Sequence, residues 1–135
     1  MIIISMEKHI KPAQETRYTI YKENGIIYAI YGKDVVVDIE FMHDIIEERI
    51  ALAEGISCPI FIDCTGVKYW TLEARKYGSS ERAVLDASAY AVVFNSVIHK
   101  IILNWAIKFY PTKGAPQQIF TDRDKALQWL EQFKR

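Results

Sequence analysis

The sequence predicts an α/β fold: one mixed, mostly parallel sheet that opens with an N-terminal β-hairpin and is flanked by helices. Three observations carry this. β-rich residues from Arg17 to Tyr31 flank Asn24-Gly25, a strong two-residue turn signal. The run Pro59-Ile60-Phe61-Ile62-Asp63 is apolar until its last residue, as in a strand buried on both faces. After the hairpin, helical and strand patterns alternate to the end, the order that parallel strands with crossover helices require.

Taken in order, the hairpin is followed by Asp38, which can cap a helix. Met42, Ile45, Ile46, Ile50 and Ala53 keep helical spacing, Glu47, Glu48 and Arg49 suit its wet side, and Gly55 can end it. The strand 59–63 comes next. Thr71 to Ser88 reads as helical but interrupted near Gly78-Ser79-Ser80, with Ser80 capping a second piece that carries Ala83, Val84 and Ala87. Tyr90 to Phe94 is another buried strand. Asn95 or Ser96 then caps a long helix that runs to about Phe109. Pro111 to Pro116 is a loop and Gln118 to Phe120 a short strand. Thr121-Asp122-Arg123-Asp124 resembles a capping box, with Asp in place of Glu, before a last helix with Ala126, Leu130 and Phe133 inward.

The chain of 135 residues is the size of a single domain, spanning 1–135 with 1–15 as a tail. Hydrophobic residues make up 50% and charged residues 25%, a globular balance. Lys+Arg and Asp+Glu number 17 each, so no net field draws nucleic acid or an anionic membrane, and little repulsion opposes self-association. No segment approaches the roughly 18 apolar residues of a membrane span. Met1 to Glu7 lacks the basic leader and apolar length of a signal peptide. Cys58 and Cys64 fall at the two ends of one strand, about 20 Å apart at ~3.3 Å per residue, too far to bridge. A reduced, cytoplasmic protein follows.

The order of elements, the strand and turn Phe61-Ile62-Asp63-Cys64-Thr65-Gly66, and the ending Ile119-Phe120-Thr121-Asp122-Arg123-Asp124-Lys125-Ala126-Leu127-Gln128-Trp129-Leu130 resemble the SpoIIAA-like branch of the STAS domains. The resemblance runs from about Arg17 to Phe133, and that branch is similar in fold to the lipid-binding CRAL-TRIO domains. In anti-sigma-factor antagonists the turn reads Asp-Ser-Ser-Gly or Asp-Ser-Thr-Gly, and a partner kinase phosphorylates the first hydroxyl. Here Cys64 fills that slot and Thr65 matches the second. The resemblance implies a non-enzymatic regulatory or protein-interaction module, working as a homodimer or with a regulatory partner.

The turn Asp63, Cys64, Thr65, Gly66 is the first candidate site, because sites in open α/β sheets form at the carboxyl ends of strands. It can serve as a partner- or anion-contacting turn at a helix N-terminus, with Thr65 open to phosphorylation. Alternatively, Asp63 and Thr65 only hydrogen-bond the turn and Cys64 fills core. Tyr69, Trp70, Tyr77, Trp105 and Phe109, with Tyr90 and Tyr110, can line an apolar pocket or simply lid the core. The helix 96–109 is apolar nearly all round. It can form a dimer face through the stripe Lys100, Asn104, Lys108, a pocket wall, or a deeply packed core helix. Glu40, Asp44, Glu47 and Glu48 read as a solvated acidic face.

His9, His43 and His99 show no metal-ligand spacing, so no metal is expected. Neither phosphate-binding glycine motif is present, and no cofactor is expected. The leading expectation is therefore an interaction module. The alternative is a carrier of a small apolar, lipid-like ligand. Last comes an enzyme using Cys64, for which His99 is the best partner on offer.

Overall fold

Asn24 and Gly25 both adopt left-handed backbone, at φ 52° and 78°. This is the twist that lets a two-residue connection join strands without splaying them. The strands so joined are β1 (Tyr18–Glu23) and β2 (Ile26–Tyr31), paired antiparallel from Tyr18–Tyr31 to Glu23–Ile26. The computed structural model describes residues 17–95, 101 and 114–134. The expected tail 1–15 and nearly all of the helix 96–109 lie outside the described residues, with Lys100, Asn104, Trp105, Lys108, Phe109, His9, His99 and Tyr110.

β2 continues parallel into β4 (Cys58–Asp63), which pairs parallel with β6 (Ala87–Val93), and β6 with β7 (Gln117–Phe120). The order is β1-β2-β4-β6-β7, so β4 is central as its apolar run requires. Ile60 and Phe61 are 1% and 0% exposed and fall into the two separate cores on opposite faces, the period of two expected of a strand.

One face is covered by α1 (Ile39–Ala53), α2 (Leu72–Gly78) and α3 (Glu81–Val84). Asp38 caps α1 by accepting the Phe41 amide at 2.8 Å. Phe41, Met42, Ile45, Ile46 and Ala53 are buried against the sheet. The helix ends with Glu54 in the left-handed region at φ 52°, one residue before the expected Gly55. Thr71 caps α2 and Ser80 caps α3, each accepting an amide at 3.2 Å. The other described face carries α4 (Arg123–Glu131), with Ala126 and Leu130 fully buried and Phe133 packed alongside.

Five expectations need correction. A second, two-stranded parallel sheet pairs β3 (Val35–Val37) with β5 (Val67–Trp70), where the sequence showed no strand. Three- and four-residue strands are too short to carry a pattern. Arg49 is not on the wet side: it is 3% exposed and donates to the Leu85 and Ala83 carbonyls, both at 2.8 Å. It lies four residues after Ile45, on the buried face, and the open carbonyls at the end of α3 give its charge partners. Glu48, beside it, is half-buried rather than solvated. Ala87 belongs to β6, because Asp86 at φ 58° turns the chain after α3. The cap of the last helix is Asp122, which accepts the Asp124 and Lys125 amides at 2.8 and 3.1 Å, rather than Thr121.

Candidate functional site

The turn at the carboxyl end of β4 is built by its own side chains. Asp63 Oδ1 accepts the Thr65 amide at 2.9 Å and the Thr65 hydroxyl at 2.7 Å, closing an Asx turn. This leaves Thr65 exposed and fixed in orientation. Asn95, two residues past the end of β6, donates from its side chain to the Thr65 carbonyl at 3.3 Å. Cys64 points the other way and is 1% exposed. Burial, and then the neighbouring Asp63 carboxylate, push its thiol well above the usual range. A nucleophilic thiolate needs the opposite setting.

Gly66 is present for lack of room. A Cβ there would lie 2.7 Å from the Gly32 carbonyl oxygen and 3.0 Å from the Lys33 Cα. The approach is locked by the Asp34 amide donating to the Gly66 carbonyl at 2.6 Å.

The turn does not open a helix. It leads into β5, and the N–H groups of Cys64, Thr65 and Val67 are spent on Val93, Asp63 and Cys64 oxygens. The anion cradle expected at a helix N-terminus therefore does not form.

The expected aromatic group divides. Tyr69 and Trp70 are neighbours on a strand and point to opposite sides, leaving Tyr69 55% exposed. Trp70 turns inward onto Tyr31, ring centres 5.6 Å apart. Tyr77 packs on His43 at 4.4 Å instead. Trp70 and Tyr90 join the wall of a cavity of about 100 Å³ between the sheet and the three-helix layer. Ile45 and Ile46 line it from α1, Ile60 and Val92 from the sheet.

Its polar lining was not anticipated: Arg49, Arg75 and Gln117. Arg49 stacks 5.9 Å over the Tyr90 ring, and the Tyr90 hydroxyl donates to the Ala83 carbonyl that Arg49 also bonds. The one signal available was the place of Arg49 on the apolar stripe of α1.

Among the described residues, no three His, Cys, Asp or Glu side chains gather as a metal site, and no helix is long and apolar enough to cross a membrane.

Two solved structures are similar in fold. One is an uncharacterized protein of the DUF3478 family with a SpoIIAA-like fold from Shewanella loihica PV-4, at TM-score 0.57 and 18% identity, covering 84% of this chain and 91% of that one. The other is an anti-sigma factor antagonist from Mycobacterium paratuberculosis, at TM-score 0.51 and 16% identity, covering 84% and 92%. At these identities they show the fold alone, which is SpoIIAA-like, as the sequence resemblance implied. No curated protein matches the sequence. The model of one family spans residues 20–134, and on that match the chain belongs to DUF7793, described as a domain of unknown function.

Proposed function

We propose that this chain is a single-domain, non-catalytic regulatory module that presents the Asp63–Gly66 turn to a protein partner. The observation that carries this is the exposed Thr65 hydroxyl, held by Asp63 at the end of the central strand. The buried, proton-retaining Cys64 beneath it supports a reading without catalysis. The fold likeness to an anti-sigma factor antagonist supports a regulatory partner. The free cysteines suit a reducing, cytoplasmic setting. A homodimer through the Lys100, Asn104, Lys108 stripe remains part of the proposal, and zero net charge favours it.

The test compares wild type with Thr65→Val, each purified from its native host and examined by native mass spectrometry and phosphopeptide mapping. Losing the hydroxyl contact costs about 1 kcal/mol, so the fold survives. A partner held in fixed ratio by wild type and lost by the variant is expected. Identical complexes, with Thr65 never modified, would refute the reading.

A second reading has its own observation. The cavity of about 100 Å³ favours a carrier of a small, largely apolar ligand.

A further inference from the structure

The cavity wall is not uniformly apolar. Among the described residues, four polar atoms on its lining side chains are shielded from solvent and have no hydrogen-bond partner: Arg49 Nε, Trp70 Nε1, Arg75 Nε and Gln117 Oε1. Three of the four are N–H donors. A fourth donor is available from Gln117, whose amide can present either end. Arg49 is 3% exposed, which places a guanidinium group with five N–H donors and no acceptor inside the protein. Its two terminal nitrogens satisfy carbonyls, while Nε is left over. Arg75 has no ion-pair partner among the described residues. Among the described residues, no Asp or Glu lines the cavity. A binding site with two guanidinium groups, surplus donors and no carboxylate is complementary to an anion.

We infer that this cavity takes a small organic anion with an apolar body, a short or branched aliphatic carboxylate. Its carboxylate accepts from Trp70, Arg75 and Arg49, and its hydrocarbon part lies on Ile45, Ile60 and Val92. The inference rests on the carrier reading and names its ligand class. Size sets the upper limit. An engineered cavity of roughly 150 Å³ admits benzene, so about 100 Å³ suits a body of about four to five carbons. Trp70 and Arg75 are half-buried and Arg49 is fully so, which places the first two toward the outside of the cavity.

The probes are 3-methylbutanoate, its neutral isostere 3-methylbutanamide, and the cation 3-methylbutylamine. Binding is read by saturation-transfer NMR and by the shift in thermal midpoint. The acid is expected to bind saturably, the amide at least tenfold more weakly, and the amine not at all. Arg75→Gln and Trp70→Phe are the variants to compare, because Arg49 also holds the carbonyls of Ala83 and Leu85 and its loss threatens folding. Each is expected to narrow the preference for acid over amide at least threefold. Equal binding of acid and amide would overturn the anion assignment and leave the carrier reading standing. Binding of none of the three would overturn both, and would leave the turn reading untouched.

Discussion

Replacing Gly66 with alanine tests whether the turn is held by close contact. The added Cβ meets backbone atoms, Gly32 O at 2.7 Å and Lys33 Cα at 3.0 Å, and backbone cannot rotate away as a side chain tip can. The 32–34 link is tied on both sides, by the Gly32 amide to Arg17 O and the Asp34 amide to Gly66 O, each at 2.6 Å. Overpacking of this kind costs typically 1–3 kcal/mol, and the two ties put the expected value at about 2–3 kcal/mol. In a chain of 135 residues, each kcal/mol lowers the melting point by about 3–5 °C, so Gly66→Ala should melt about 6–15 °C below wild type. Gly25→Ala is the control. It has φ 78° but no heavy atom within 4 Å of the new Cβ, so only the left-handed penalty of about 1–2 kcal/mol applies. Part of that is returned by a stiffer unfolded chain. Thermal unfolding followed by circular dichroism ranks the two. A Gly66→Ala midpoint at or above that of Gly25→Ala would refute the close-packing argument.

Two other predictions concern titrating groups. Burial pushes both thiols up, Cys64 well above the usual range, so a mild thiol reagent at pH 8 should leave Cys64 unmodified in the native protein and label both cysteines after denaturation. Rapid native labelling of Cys64, located by peptide mapping, would reopen a catalytic role. Burial also pushes the phenols of Tyr31 and Tyr90 up, and that of Tyr18, helped by Asp44, to about 12. A phenol that holds its proton more tightly when folded stabilises the fold in full below the unfolded value of 10.0 and loses that contribution as pH climbs through the folded value. Urea midpoints should therefore fall steadily from pH 10 towards 12, and a flat profile there would contradict the burial of these phenols.

The main sheet was legible because its signals are local. Asn24-Gly25 sets a hairpin by backbone conformation alone, Asp38 and Ser80 are caps whose partners lie three residues away, and β4 announces itself by continuous apolarity. The small sheet was not legible. β3 and β5 find each other only in space, and Lys68 and Tyr69 are exposed, so β5 has no apolar run to show. Missing β5 also hid the alternation that separates Tyr69 from Trp70. Arg49 was misplaced because its charge outweighed its helical position, and the carbonyls that receive it belong to residues 34 and 36 positions away. The turn is legible from its small polar residues, but the four-residue strand that follows it carries no pattern to distinguish it from the lead-in to a helix. The cavity is a difference between packed volumes, and no residue pattern encodes that.

The small sheet also bears on the order in which the chain assembles. β2 and β4 each run on through a three-residue link, Gly32-Lys33-Asp34 and Cys64-Thr65-Gly66, into β3 and β5, which pair in the same parallel sense. The second pairing is thus a continuation of the first across a break. A parallel pair has no hairpin to nucleate it, so β3 and β5 can align only after β2 and β4 have met. This order predicts that the links and the small sheet close late, which the refolding and unfolding rates of Gly66→Ala would test. Changes in the turn then fall on the unfolding rate and leave refolding nearly untouched. On that order, the lifetime of the folded state should depend in part on the short link that carries the exposed Thr65 at the end of the central strand.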